Sequence, residues 1–530
     1  MDRRHGEQKA HAGLRRQHGA GKLRAGAKHG AGGNAGTAID VRVAGLGAVR
    51  HLACTAVAAE LQHHLVDLPQ ARRADRLAIG DAAAIRVHRH AAGDLGGAFT
   101  QQLFLLAVLA EAVLGHVHDL SARLGVLDLD HPVWVEDADF DIDRHVHRIS
   151  LQSPGGRQEF TEACSRLAGL PLDRRHPLWE IWVIEGLDSG PDCERLAVFV
   201  KAHHAAADGV TFARLLSALC SDESNPQTPA PVHASPDVGW RREAVTGLVR
   251  FLSRPLYFAT KVLPAALRAI IDATRRARNS ATMAAPFSAP CTPLNKAFTA
   301  ERNVAFARLD LNDVKRVKNH FDVKVNDVVT TLVAGVVRKY LLDRAALPAA
   351  SLVALEPVSV HGLSDRTARN QVSGMLVKLR TDIADPAERL RSIATLNSLA
   401  KDQVAAISPT LLQDFGEVVG SVLLGIAKRI YGRLTLVRPM YNVIVSNVPG
   451  PSPARYFVGA EVVAMYPCGP ILLGGGLNFT FWSVNGRIHI GVISCPRVVP
   501  ELSDLAKGLE AGLADLLREV DGVPKASAVV

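Results

Sequence analysis

Leu196–Gly209 read LAVFVKAHHAAADG and contain the pattern on which the fold prediction rests. Leu196 to Ala202 form an apolar run of strand length, and Val210 to Cys220 (VTFARLLSALC) repeat their apolar residues at helical spacing. The residues between the two runs therefore predict a tight connection from a strand to a helix.

The polar residues of this connection suit proton transfer. His203 and His204 follow the strand, and a neutral imidazole can take the proton of an alcohol as its oxygen attacks a carbonyl. Asp208 either caps the following helix or pairs with a basic residue, and Gly209 permits a sharp turn. An ordinary histidine pair followed by an ordinary Asp-Gly turn fits the bare pattern equally well. No GxSxG elbow supplies a serine nucleophile.

The chain of 530 residues divides into parts of different composition. Its length predicts two or more domains, and an apolar fraction of 48% excludes wholesale disorder. Residues 1–118 contain Phe99 and Phe104 as their only aromatics, but 11 of the 21 histidines. Three interpretations of residues 1–126 stay open: a disordered extension, a domain with a poor core, or a wrong start or reading frame. We favour the last.

The net charge of +9 is concentrated locally. Arg241–Arg278 carry nine basic and two acidic residues, so we expect no nucleic-acid partner for the chain as a whole. Pro255 and Pro264 divide this stretch into two or three predicted short helices, with Arg interleaved among apolar residues. It is either an amphipathic surface for anionic membranes or lipid droplets, or a solvated connector between domains.

Cysteine usage and hydropathy bear on the compartment. Seven scattered cysteines favour reduced thiols over a disulfide framework or a zinc site. No uncharged apolar run reaches the length that spans a bilayer, and the amino terminus lacks the pattern of a signal peptide. We therefore expect a cytoplasmic protein that is either soluble or peripheral on the inner membrane surface or on lipid droplets.

Eight motifs in order carry a family resemblance. They are HPVWVEDADFDIDRHVHRISL (131–151), PLDRRHPLWEIWVIEGL (171–187), HHAAADG (203–209), VNDVVTTLVAGVVRKYL (325–341), PVSV (357–360), RNQVSGM (369–375), NVIVSNVPGP (442–451) and LNFTFWSVNGRIHIGVISC (477–495). With them the chain resembles the bacterial wax ester synthase/diacylglycerol acyltransferase family. That family belongs to the acyl-CoA-dependent acyltransferases of the chloramphenicol acetyltransferase and condensation-domain type. The resemblance covers Leu127–Glu519.

The resemblance implies an α/β fold of α+β two-layer sandwiches, with two chloramphenicol-acetyltransferase-like domains and a tunnel at their interface. The expected boundaries are an atypical leader (1–126), an incomplete amino-terminal domain (127–224), a linker and basic connector (225–300), a carboxy-terminal domain (301–520) and a tail (521–530). The family's opening strand and helix are not recognisable, and Arg369 stands where the family usually has Gly. We therefore expect an unpaired core strand and poor folding or low activity.

Site residues are implied position by position. His204 becomes the general base, His203 a supporting neighbour and Asp208 the residue that shapes the loop before Gly209. Asn326 either faces the site or is a plain N-cap, and PLDRRHPLW forms either a tunnel wall or a turn with Trp179 in the core. SNVPGP is expected to form a rigid turn near the domain interface, and Gly474–Gly476 a flexible one. The substrate or tunnel residues are Asn326, Asp327, Pro171, Leu178, Trp179, Ser446 and Asn447.

The implied activity is acyl transfer from acyl-CoA to diacylglycerol, which gives triacylglycerol. Long-chain alcohols are further expected acceptors, which would give wax esters, and no cofactor, metal or covalent intermediate is expected. Three alternatives stay open: a catalytically impaired lipid-surface protein, a condensation-type acyltransferase with another acceptor, and a glycerolphosphate-type HxxxxD enzyme read from His203 to Asp208. The other motifs of the glycerolphosphate-type enzymes are missing from this sequence.

Overall fold

The computed structural model describes residues 80–90, 120–123, 133–137, 139–188, 193–205, 209–218, 220, 284–359, 372–406, 421–450, 455–457 and 460–522, with separate helical positions between 245 and 271. The predictions for residues 1–79, for the linker at 225–237 and for the tail at 523–530 lie outside the described residues. So do Asp208 and Arg369.

Fourteen strands and seven longer helices are described. The strands are β1 (Gly80–His90), β2 (Leu120–Arg123), β3 (Val133–Glu136), β4 (Val146–Ser150), β5 (Trp179–Glu185), β6 (Cys193–His203), β7 (Asn303–Asp310), β8 (Val353–Ser359), β9 (Val372–Lys378), β10 (Val443–Pro449), β11 (Tyr456–Phe457), β12 (Ala460–Cys468), β13 (Leu477–Val484) and β14 (Arg487–Ser494). The helices are α1 (Arg157–Gly169), α2 (Gly209–Ala218), α3 (Leu311–Phe321), α4 (Val325–Leu342), α5 (Pro386–Ala406), α6 (Ser421–Val437) and α7 (Ser503–Val520).

The first sheet combines strands from both halves of the chain. Its order is β11-β12-β1-β6-β5-β4, with antiparallel neighbours except for the parallel pair β4 and β5. The strand predicted at Leu196–Ala202 is β6, and the helix predicted after the histidines is α2. Because β11 and β12 follow residue 301, the sheet extends across the predicted domain boundaries.

The second sheet has the order β7-β14-β13-β10-β8-β9 and lies within the carboxy-terminal half. β10 pairs in parallel with both β13 and β8, so its backbone is hydrogen-bonded on both edges. The helix predicted at Asp327–Leu342 is α4 and begins at Val325. Asp327 caps it, because its carboxylate accepts the Lys324 N–H at 2.8 Å.

The opening strand of the first sheet is present, contrary to expectation. β1 pairs with β6 along its whole length, from Gly80 opposite His203 to His90 opposite Cys193, and its other edge pairs with β12. The prediction of an unpaired core strand is therefore wrong. It relied on a family motif, whereas strand pairing uses backbone N–H and C=O groups that almost any sequence supplies.

A shared apolar cluster joins the two halves of the chain. Trp179 on β5 and Phe212 on α2 pack in one cluster with Met465 on β12 and Trp482 on β13, and all four side chains are buried. Burial of large aromatic side chains is a main source of stability. The connection between β6 and α2 is therefore packed against residues from the carboxy-terminal half.

Exposed apolar side chains are concentrated on two helical segments outside this core. They lie between 245 and 271 and near the end of α6. The described positions of the basic stretch are helical, as predicted, but the helix continues from Leu256 through Pro264 to Ala265, so the predicted break at Pro264 is wrong. Within the described part of the chain, no helix is long and apolar enough to cross a membrane.

His489 on β14 makes the stability of the fold depend on pH. Its side chain is buried, and burial lowers its pKa to about 4 from an ordinary 6.5, with Arg308 and Arg487 acting in the same direction. The unfolded chain therefore binds more protons between these pKa values, so stability falls as pH falls through this window. We expect the free energy of unfolding to fall between pH 7 and pH 5 in wild type by on the order of 2 kcal/mol more than in His489→Leu. Urea unfolding at the two pH values measures this difference.

His320→Leu is the matched control, because His320 on α3 is exposed. The same loss of stability in wild type and in the His489 variant would contradict this assignment.

Candidate active site

The histidine pair sits at the end of β6, where the backbone is fixed. The His203 N–H donates to the Leu178 carbonyl at 2.9 Å. The Ala205 N–H then donates to His203 Nδ1 at 3.2 Å, which turns the chain directly after the strand. His204 lies between these two anchored residues and is partly buried.

The imidazole of His203 is neutral at physiological pH. Burial lowers its pKa to about 4, and the charges of Arg174 and His204 act in the same direction. Because Nδ1 accepts a hydrogen bond, the proton of the neutral ring is on Nε2. His203 is therefore suited to holding the turn.

A buried ion pair supports the strand two residues before the histidines. Lys201 Nζ lies 2.9 Å from Glu180 Oε2 on the neighbouring strand, and the lysine side chain is 6% exposed. Lys201 also donates to the carbonyls of Leu167 and Leu170 at the end of α1, at 3.3 and 3.0 Å. A cation at a helix carboxy terminus is favourable, so Lys201 fastens α1 and β5 to β6. Lys201 was not among the predicted site residues, although a lysine inside an apolar strand is a visible signal in the sequence.

The segment PLDRRHPLW (171–179) lies beside the end of β6, where its Leu178 carbonyl accepts the His203 N–H. Leu178 and Trp179 are buried and Pro171 is exposed at the start of the segment. The imidazole of His145 stacks on Trp179 with ring centroids 4.6 Å apart, and its Nδ1–H donates to the Trp179 carbonyl at 2.8 Å. Trp179 therefore lies in the core, as one of the two interpretations predicted.

Asn326 and Asp327 belong to a buried polar network at the start of α4. Asn326 Nδ2 donates to Glu356 Oε2 at 2.9 Å, and Thr330 donates to Glu356 Oε1 at 2.8 Å. Asn397 Nδ2 donates to Asp327 Oδ1 at 2.8 Å. Asn326 is the second residue of the helix and Asp327 is the capping group, so the N-cap interpretation of Asn326 is wrong.

Glu356 has an unusual ionisation. Burial raises its pKa to about 7 and the charge of Asp327 adds to the rise, while hydrogen bonds from Thr330 and Asn326 and the charge of Lys401 oppose it. Glu356 directly precedes the PVSV motif, but its carboxyl group was not among the predicted site residues. A single acidic residue in the middle of an apolar strand gives no signal beyond its type, because its hydrogen-bond partners lie on α4.

Ser446 and Asn447 lie inside a strand, not in a turn. They pair in register with Thr480 and Phe481 of β13, and both are partly buried. The prediction of a turn over SNVPGP is therefore wrong for these residues, because the parallel pairing continues to Pro449. The end of β10 does reach the histidine connection: a Cβ placed on Gly209 would lie 3.7 Å from Val448 Cγ2.

Gly474–Gly476 form a close-packed turn. All three residues are buried, and a Cβ on Gly475 would overlap the ring of Tyr441. Gly475 is needed for space and Gly474 for its positive φ of 96°, and both reasons differ from the flexibility that the sequence suggested.

Among the residues that the structure describes, no group of three or more His, Cys, Asp or Glu side chains is placed to hold a metal ion.

Comparison with known families agrees with this architecture. The wax ester synthase/diacylglycerol acyltransferase catalytic domain matches residues 81–329, and the WS/DGAT C-terminal domain matches residues 369–517. The chain therefore belongs to the wax ester synthase/diacylglycerol acyltransferase family and is an acyltransferase. The first match begins within β1, well before the Leu127 at which the resemblance was expected to start.

Relatives in Mycobacterium tuberculosis support the same membership. Rv1760 of strain H37Rv, which carries a provisional assignment as a diacylglycerol O-acyltransferase, is 47% identical over 402 residues. The match covers 76% of this chain and 79% of Rv1760. A second protein with a provisional assignment of this kind, Rv3740c, is 35% identical and covers 73% of this chain and 84% of its own length.

Solved structures confirm the fold. The wax ester synthase/diacylglycerol acyltransferase from Marinobacter aquaeolei VT8 matches with a TM-score of 0.59 and 27% identity, over 84% of this chain and 95% of that one. The first condensation domain of the calcium-dependent antibiotic synthetase matches with a TM-score of 0.51 and 15% identity, over 91% and 97%. At that identity the second match shows the fold alone. The α/β class with two related domains is thereby confirmed.

The substitution Gly450→Ala tests whether the packing beside the histidine connection requires glycine. A Cβ there would overlap the indole Nε1 of Trp482 and the carbonyl of Ser483, so Gly450→Ala must displace β13 or the end of β10. We expect a loss of about 1–3 kcal/mol in the free energy of unfolding.

Gly432→Ala is the matched control, because Gly432 lies in α6 and its added Cβ would make ordinary contacts at 3.8 Å with Leu473. It should be neutral or stabilise by about 0.5–1 kcal/mol. Equal unfolding midpoints for the two alanine variants would show that Gly450 is not sterically required.

Proposed function

We propose that this protein transfers the acyl group of a long-chain acyl-CoA to the free hydroxyl of diacylglycerol and so forms triacylglycerol. Long-chain alcohols are proposed as further acceptors, which would give wax esters. The single observation that carries the proposal is the position of His204: it follows a strand end held by the His203–Leu178 hydrogen bond, beside the point where β10 approaches Gly209.

The proposed reaction needs one general base. His204 takes the proton of the acceptor hydroxyl while its oxygen attacks the thioester carbon. The new C–O bond forms, the C–S bond breaks, and the proton passes from the imidazolium to the departing CoA thiolate. The proposed reaction involves no covalent enzyme intermediate and no cofactor. His203 acts by positioning, because its neutral ring holds the Ala205 N–H.

The choice of acceptor rests on the relatives. The mycobacterial proteins carry names that specify diacylglycerol, and the Marinobacter aquaeolei VT8 protein has a name that adds wax ester synthesis. Both acceptors are long-chain lipids with one reacting hydroxyl. The condensation-domain match carries no acceptor information, so it does not favour a second candidate function.

We further propose that the basic connector contacts the lipid surface that holds the acceptor. Its exposed aliphatic side chains recur at helical spacings of three and four residues on either side of the π-helical turn Phe258–Val262. They are Val245, Leu248, Val249, Leu252, Leu256, Leu263, Leu267 and Ile271. Lys261 and Arg268 are exposed in the same segment. Exposed aliphatic side chains interleaved with basic residues are typical of a helix that lies in an anionic lipid interface.

The decisive experiment combines one substitution with two acceptors. Purified protein is incubated with radiolabelled acyl-CoA and either diacylglycerol or hexadecanol, lipids are separated by chromatography, and free CoA thiol is measured in parallel. We expect labelled triacylglycerol from wild type and a rate about 10³-fold lower for His204→Ala, because general-base catalysis contributes that order of rate.

His320→Ala is the matched control, since His320 is an exposed histidine on α3, and urea midpoints verify that both variants fold. Undiminished turnover in the His204 variant would refute the mechanism. A folded wild type that forms no labelled ester with either acceptor would refute the acyltransfer proposal and favour the lipid-surface alternative.

A further inference from the structure

The end of α6 carries an apolar stripe that the core does not use. Ile430, Leu434 and Val437 follow one another at spacings of four and three residues, which places them on one side of the helix. Their side chains are 62%, 42% and 70% exposed. Adjacent to them, Leu436 is also 50% exposed. Several large apolar side chains in one exposed stripe are unusual on a surface that has no partner.

The opposite side of the same helix is attached to the protein. Thr435 is buried, and Tyr431 packs edge-on against Phe287 with ring centroids 6.2 Å apart. The Cys291 thiol donates to the Val437 carbonyl at 2.9 Å. The helix is therefore held in one rotation about its axis, and this rotation turns the stripe outward.

Basic residues border the stripe on both sides. Arg429 and Arg433 lie on one border and Arg438 follows on the other, and all three are exposed. The whole helix from Ser421 to Val437 contains no Asp or Glu. A protein partner would need to present both an apolar groove and acidic borders, whereas an anionic lipid surface offers apolar chains beneath negative headgroups everywhere.

We propose that the α6 stripe, defined as Ile430, Leu434 and Val437 with its bordering arginines, docks on an anionic lipid surface. It is a contact separate from the basic connector at 245–271. The inference extends the lipid-surface part of the proposed function, and its test requires no turnover.

The test measures flotation of the full chain with vesicles of phosphatidylcholine, with and without phosphatidylglycerol. We expect the triple variant I430Q/L434Q/V437Q to partition at least about tenfold less onto the anionic vesicles than wild type. The partitioning of R429Q/R433Q onto anionic vesicles should fall about fivefold for each arginine removed, and its partitioning onto neutral vesicles should change little. Both losses should also appear in a background with L252Q/L256Q in the connector.

Matched controls use residues of the same type elsewhere on the surface. Leu170 and Leu342 are 40% and 50% exposed, so L170Q/L342Q removes exposed apolar groups without touching α6. Arg497 and Lys507 are exposed, so R497Q/K507Q removes two positive charges. Flotation of the α6 variants equal to that of these controls would overturn the proposal.

A second measurement does not depend on the folding of the α6 variants. Cys291 is exposed, whereas Cys164, Cys220, Cys468 and Cys495 are buried. In a C54S/C193S background, a polarity-sensitive fluorophore on Cys291 reports the surroundings of Val437. The label removes the weak hydrogen bond of the thiol, while the burial of Thr435 and the contact of Tyr431 with Phe287 still hold the helix. We expect a blue shift on anionic vesicles and quenching by nitroxide lipids. Flotation of the labelled protein without either change would show that α6 stays in water, and would overturn the proposal.

Discussion

The pairing of β12 with the first sheet is the constraint on which the rest of the structure depends. β12 belongs to the carboxy-terminal half of the chain, yet it closes the edge of β1, which in turn pairs with the strand that ends at His203. Met465 on β12 and Trp482 on β13 then pack against Trp179 and Phe212, on either side of the histidine connection. Part of the packing around the histidine connection therefore comes from residues roughly 240 to 300 positions later in the chain.

Buried polar groups in the two sheets carry a desolvation cost that well-placed partners offset. Lys201 forms an ion pair with Glu180 and donates to two helix carbonyls. The imidazole of His203 is neutral and so avoids the penalty of burying a charge. Both carboxylate oxygens of Glu356 accept hydrogen bonds, and burial raises the pKa of this group to about 7. Each group fixes a backbone segment: the end of β6, the turn after it, and the start of α4.

Local patterns predicted the strand and helix around the histidines, α4 and the helices of the basic stretch, because period and length are properties of contiguous residues. The pairing of β1 and the partners of Lys201 and Glu356 could not be read in this way. They join residues from 21 to more than 350 positions apart, and β pairing leaves little trace in the identity of a single strand. The turn predicted at Ser446 failed for the same reason, since its parallel partner β13 decides where β10 ends.

The two halves of the chain form the first sheet together and so hold the histidine connection. Native-state hydrogen exchange in rising urea measures whether this sheet opens as one unit. We expect amides of Val198–Ala202 in β6 and of Val462–Met465 in β12 to exchange through one opening, with the same free energy and the same urea dependence. Exchange of the β12 amides through a smaller opening, while β6 stays protected, would contradict it.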